Sequence, residues 1–292
     1  MLHSMTGFGR AEGALKDYTL SIDIKSLNGK QFELNQRLPI ALRPFEINIK
    51  NYLQANLQRG SVELNANLKQ NGSNKAVRLN TELAQFYYKA VTQLGTELNA
   101  PIDNALAVVL QLPEVVSQAT DEFNEGDWAG IEQILAIACK NLNTSRAAEG
   151  QTMQAHLLGL MDSIESNSKA VEPFEGARVD KQRQKLTTLL EENIGKDKID
   201  NNRFEQELIF YLEKLDISEE KVRLQHHLDY FRELIAAKDD AQIGKKLGFV
   251  LQEVGREINT MGSKANDAQI QKLVVQMKDD LEKAKEQILN VL

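Results

Sequence analysis

The chain has 292 residues, 42% of them hydrophobic and 26% charged, enough for one large domain or two moderate ones. Its net charge of −7 argues against a protein that coats nucleic acid indiscriminately, although it leaves room for an RNA substrate in a local basic groove. The lone Cys139 excludes an intramolecular disulfide framework, no apolar run approaches the length of a membrane span, and no secretory signal opens the chain, so a cytoplasmic location is expected.

The first 70 residues alternate. Tyr18, Leu20, Ile22 and Ile24 lie on one side of a strand, with Thr19, Ser21, Asp23 and Lys25 on the other. Phe32, Leu34 and Gln36 follow the Asn28-Gly29 turn signal, which suggests a hairpin. Pro44 is placed to begin a helix striped by Phe45, Ile49, Tyr52, Leu53 and Leu57. After Arg59-Gly60, the residues Val62, Leu64, Ala66 and Leu68 read as a further strand, and 71–74 as a loop.

Helices dominate afterwards. Thr81 is a candidate cap for a helix that Pro101 terminates, a short apolar segment covers 105–112, and 121–127 reads as an acidic loop. Residues 128–171 read as one long helix, with a break at Pro173 and Gly176. Further helices are expected at 180–193, 202–215, 218–237, 240–261 and 267–292, with a turn at 195–198. The fold class is therefore α+β: an N-terminal antiparallel sheet with helices, then a mostly helical C-terminal half of long antiparallel helices. The division expected is an N-terminal region 1–154, a helical connector 155–199 and a C-terminal region 200–292. Long apolar-striped helices need cover, so self-association is expected.

Residues 244–266 carry the densest chemistry. Leu247, Val250, Leu251, Val254, Ile258 and Met261 recur at helical steps. Glu253, Glu257, Thr260 and Lys264 stack on another face, with Arg256 and Asn259 beside them. Carboxylates, cations, an amide and a hydroxyl together suit a phosphate or metal site; spacing alone favours a surface laced with ion pairs, which are common. Two further stretches have polar faces, Arg203 to Leu208 and Asp216 to His227. Glu220, Arg223 and His227 share one helix side, and His226 points about a hundred degrees away. Such oxygen-rich faces suit Mg²⁺ or Mn²⁺ better than zinc, for which neither a Cys cluster nor a His-Glu-x-x-His helix is present. Candidate basic clusters are Arg178, Lys181, Arg183 and Lys185, then Lys245 and Lys246. There is no Gly-x-Ser-x-Gly elbow and no P-loop; Gly7-Phe-Gly9 lacks the third glycine of a dinucleotide fingerprint; and Cys139 sits in an apolar helical setting that suits core better than nucleophile.

These residues resemble the YicC/YloC family of bacterial metal-dependent endoribonucleases. The resemblance rests on Ser4-Met-Thr-Gly-Phe-Gly-Arg-Ala-Glu12, Ser26-Leu-Asn28, Arg37-Leu-Pro39, Arg59-Gly-Ser-Val-Glu63 and Arg146-Ala-Ala-Glu149-Gly150. It continues through Asn202 to Leu208, Asp216 to His227, and Gln252 to Lys264, and so spans essentially the whole chain. Three departures stand out. Gly248 replaces a common aspartate, Gly255 a common asparagine, and Lys30 a common arginine.

The resemblance implies a ring-like homo-oligomer, a hexamer, that cleaves within RNA with the help of Mn²⁺ or Mg²⁺. On that basis His227, Glu253, Arg256 and Glu257 are the candidate catalytic residues, with His227 transferring protons. Arg203, Arg223, Asn259, Ser263 and Lys264 are the candidate substrate contacts, arginine being suited to bidentate phosphate binding. Glu205, Glu207, Asp216 and Glu220 are the candidate metal ligands, the cation neutralising phosphate and either activating water or stabilising the leaving oxygen. Arg146 and Glu149 read as a structural pair. The rivals are a non-catalytic oligomeric RNA-binding scaffold, whose carboxylates are interface ion pairs, and a hydrolase of small phosphate esters.

Overall fold

A computed structural model describes residues 2–57, 59–71, 77–98, 104–118, 123–195, 200–237, 242–265 and 267–292. Outside them lie most of the expected 71–74 loop, the stop at Pro101, Asp121, the turn residues 196–198, the helix start at Asp240, and Asn266.

Four strands form the N-terminal sheet: β1 (Gly7–Leu15), β2 (Tyr18–Leu27), β3 (Phe32–Arg37) and β4 (Gly60–Gln70), in the order β1-β2-β4-β3. The sheet is mixed. β1, β2 and β4 pair antiparallel, whereas β3 runs parallel to β4 on the far edge. The expected hairpin at Asn28-Gly29 and the all-antiparallel sheet are therefore corrected. Both edges of β2 are already taken, and Asn28 is engaged elsewhere: its Nδ2 donates to Leu289 O at 2.8 Å and to Asn290 Oδ1 at 3.1 Å. A parallel return needs a crossover, which a 3-10 helix (Ile40–Phe45) and α1 (Glu46–Asn56) supply. Pro44 lies inside that 3-10 turn rather than opening α1.

A small excursion follows, with β5 (Val77–Leu79) paired to β6 (Val116–Gln118) and α2 (Thr81–Glu97) packed on α3 (Ala105–Val109). Asn80, not Thr81, caps α2 by accepting from Leu83 N. The long helix is present as α4 (Trp128–Lys169), 42 residues. It serves two cores. Ile131, Leu135, Ala138 and Leu142 pack on the sheet, whereas Met153, Leu157, Met161 and Ile164 pack on the C-terminal helices.

The remaining helices are α5 (Glu172–Ile194), α6 (Asn201–Leu215), α7 (Ser218–Ala236), α8 (Ile243–Lys264) and α9 (Ala268–Ile288). Pro173 opens α5 instead of breaking the chain, because proline in a first turn forfeits no helical hydrogen bond. All six apolar stripe residues of α8 are buried, together with Leu224, Leu228 and Phe231 of α7 and Ile270, Val274 and Leu281 of α9. The chain end is tied back to the front: Ser4 bridges Val291, Met5 N donates to Asn290 O, and Leu292 N donates to His3 O. Among the described residues no helix is long and apolar enough to cross a membrane.

Candidate functional site

The polar face of α8 emerges along its seam with α7. At one end Lys264 Nζ lies 2.8 Å from Glu220 Oε1, which joins the last turn of α8 to the first turn of α7 and sets the two helices antiparallel. His227 follows Glu220 by seven residues and Glu257 precedes Lys264 by seven. Both therefore lie about 10 Å along their helices from that ion pair, level with each other. His227 is half-buried and Glu257 buried at 8% exposure. Glu257 has no ion-pair partner among the described residues, and the buried Oε2 of Glu220 has no hydrogen-bond partner.

One turn earlier on α8, Arg256 Nη1 donates to both oxygens of Glu253, at 2.7 and 3.1 Å. Arg223 reaches Glu219 one turn back along α7. Both guanidiniums are mostly exposed, so these pairs contribute little to stability and can exchange a carboxylate for a phosphate. Asn259 and Ser263 are exposed, turned about 120° and 80° from Glu253, and sit on the flank of the seam. Ser263 Oγ donates to Thr260 O at 2.9 Å.

The seam thus gathers His227, Glu220, Arg223, Glu253, Arg256, Glu257 and Lys264. It does not gather the other expected residues. Arg203, Glu205 and Glu207 are exposed on α6, where Glu205 pairs with Arg183 of α5. Asp216 lies in the turn between α6 and α7, its Oδ1 accepting from Ser218 N at 2.9 Å and Ser218 Oγ at 2.7 Å. No group of three or more His, Cys, Asp or Glu side chains is placed to hold a metal ion among the described residues. The four expected metal ligands do not form a set within one chain. What the seam does present is Glu253 and Glu257, one turn apart on one face, the first engaged by Arg256 and the second buried without an ion pair among the described residues.

The N-terminal motifs converge on a different place. Arg146 is buried at 2% exposure, and its Nη2 donates to Ser26 Oγ at 2.5 Å. Ser26 Oγ in turn donates to Met5 O at 2.8 Å. No carboxylate pairs with Arg146 among the described residues, and burial holds its pKa below the ordinary arginine value. Glu149 instead accepts from Thr6 Oγ1 at 2.8 Å, so the expected Arg146–Glu149 pair is corrected. Arg59 Nη2 donates to Val291 O at 2.9 Å. This joint fastens the sheet, α4 and the chain end together. Its signal in the sequence was a serine and an arginine at positions that strand and helix alternation point inward.

Two family profiles match. Residues 2–155 fit "Endoribonuclease YicC-like, N-terminal region" and residues 171–292 fit "Endoribonuclease YicC-like, C-terminal". The chain belongs to the YicC-like family. Over the full length of both chains it is 32% identical to a protein of Clostridioides difficile and 31% identical to one of Haemophilus influenzae, each named "Probable endoribonuclease YicC". The matched YicC-like C-terminal region contains the whole seam, and the N-terminal region contains the Arg146 joint except its chain-end partners. Gly255 is occupied from outside: a Cβ there would lie 3.1 Å from Leu281 Cδ2 of α9, whereas one at Gly248 would meet nothing within 4 Å.

Proposed function

We propose that this chain is an endoribonuclease that cuts phosphodiester bonds within RNA, assisted by Mn²⁺ or Mg²⁺, at the α7–α8 seam. The observation that carries the reading is the buried Glu257 carboxylate, which has no cation partner among the described residues, level with half-buried His227 and flanked by Arg256, Arg223 and Lys264. The names of its relatives support the same reaction class.

In this reading Arg223 and Arg256 release their carboxylates to bind phosphate oxygens, and Lys264 adds charge at the end of the seam. His227 carries the proton that leaves the attacking oxygen or reaches the departing one. Glu257, and Glu253 once Arg256 has moved to phosphate, would hold the divalent cation, whose chemistry is neutralisation of phosphate charge. Attack by water and attack by the RNA 2′-OH both fit this set. A 2′,3′-cyclic phosphate on the product ends would exclude direct attack by water.

We also propose a homo-oligomer, a hexameric ring, working in the cytoplasm. None of the side chains of α2 is buried, and Phe86, Leu94 and Leu98 are exposed at 66%, 55% and 68% along one stripe, a surface suited to a second copy. The rival, a non-catalytic RNA-binding scaffold, draws support from the absence of a three-carboxylate cluster among the described residues. Incubating the purified protein with end-labelled RNA and Mn²⁺, with and without EDTA, separates the two. Internal cuts that EDTA abolishes are expected, and intact RNA that remains bound identifies the scaffold.

A further inference from the structure

The same seam continues beyond Glu253 into a stretch of different character. Tyr230 lies one turn past His227 on α7, and Phe249 one turn before Glu253 on α8. Both rings are large and open, at 49% and 56% exposure, although the faces beside them are packed into the core. Tyr230 shares its helix side with Arg223 and His227, and Phe249 shares its side with Glu253, so both rings border the groups assigned to the phosphate. The antiparallel register fixed by Glu220 and Lys264 sets the rings about 7 Å apart along the helix axes, close to the spacing of neighbouring nucleotides in an extended strand.

Charge selects the occupant. From Gly244 to Gln252 the chain carries no acid, in a protein whose net charge is −7. Lys245 Nζ lies 6.0 Å from the centroid of the Phe249 ring. An exposed aromatic ring with a cation over one face suits a base stacked on the other face, whose flanking phosphates need neutralising, as in single-strand nucleic-acid grooves.

We propose that Tyr230 and Phe249 form a base-stacking platform that takes unpaired nucleotides of the RNA next to the scissile phosphate. The platform rests on the endoribonuclease reading of the seam and specifies it: the strand entering there is unpaired and is held by its bases as well as its phosphates. A paired stem has no base faces to offer these rings, so cleavage falls in unpaired segments.

The test uses the full-length protein and two probes, a short unstructured RNA and a chain of the same length with abasic positions, each measured by fluorescence anisotropy. The parental protein holds the RNA at least about tenfold more tightly than the abasic chain. The Tyr230→Ala/Phe249→Ala variant loses that preference, holding both probes alike, while Tyr230→Phe/Phe249→Tyr, which keeps both rings, retains it. A parental protein that holds the two probes equally, or an alanine variant that keeps the parental preference, overturns the platform while leaving RNA cleavage as an independent result. A variant whose assembly state changes by light scattering, with equal losses on both probes, shows that the rings are a subunit contact and overturns it too. If the parental protein neither binds nor cuts RNA, the endoribonuclease reading itself falls, and the platform with it.

Discussion

Lys264 and Glu220 meet at 2.8 Å across the open end of the α7–α8 seam, and their contact sets the register in which His227 faces Glu257. Glu220 is almost wholly buried, at 4% exposure, and spends only one of its two carboxylate oxygens on the lysine. Desolvation of a carboxylate is costly unless a cation compensates it, so the pair is held together by what breaking it would leave behind.

Lys264→Met strands Glu220 and is expected to destabilise the protein by about 2 kcal/mol, less than the roughly 3–5 kcal/mol of a fully buried pair because the lysine is partly exposed. Glu220→Gln/Lys264→Met, which removes both charges, recovers most of that loss. Urea denaturation measures both. A lysine variant as stable as the parent contradicts the compensating role.

Acid is expected to weaken the packing of α4 against α7. Lys169, and then Arg232, hold the Glu165 carboxyl below its ordinary pKa, against the opposing effect of burial. A depressed pKa contributes stability that is present above the unfolded value, 4.5, and lost as pH falls through the lower folded value. The urea midpoint of Glu165→Gln should therefore lie below the parental one at neutral pH and approach it as the pH drops under 4.5. A gap independent of pH removes Glu165 from the account.

The two glycines of α8 that depart from the resemblance should respond differently. Gly255→Asn drives a side chain into Leu281 and is expected to cost about 1–3 kcal/mol. Gly248→Asp meets open space and gains from leaving glycine's backbone entropy behind, so its thermal unfolding should match or slightly exceed the parental value. Equal effects at the two positions would contradict the packing difference.

At the N-terminal joint, loss of the hydroxyl should cost more than loss of the charge. Ser26→Ala leaves both Arg146 and Met5 O without their partner, an expected loss of about 1–3 kcal/mol. Arg146→Met removes an uncompensated buried cation in favour of an apolar side chain, and should be the milder change in denaturant titration. If Arg146→Met is the more damaging, the guanidinium has a partner beyond Ser26.

The helical half was legible because burial of α8 follows a period that a single sequence displays: every stripe residue from Leu247 to Met261 is inside. β1 was not, and the reason is physical. Its inward positions include Gly7, Gly9 and Gly13, where an added Cβ would strike Leu142, Ala138 or Ile134 of α4, so close approach has erased the apolar alternation that marks a strand. The Asn28-Gly29 signal misled because the asparagine answers to the chain end, more than 260 residues away, and not to a local turn. Similarly, local spacing placed Glu220 and His227 on one side of α7 and Glu257 and Lys264 on one side of α8. It did not show that these sides meet, nor that Glu205 pairs with Arg183 of α5.

The most direct test of the seam as the cutting site is single-turnover cleavage of end-labelled RNA in Mn²⁺ by the parental protein and by Glu253→Gln/Glu257→Gln. The variant keeps the size and fold of both side chains. It should retain the parental assembly state and bind RNA, yet cut at least about a hundredfold more slowly, the scale on which one positioned proton-transfer or charge-stabilising group acts. A variant that stays assembled and cuts at the parental rate would contradict the account.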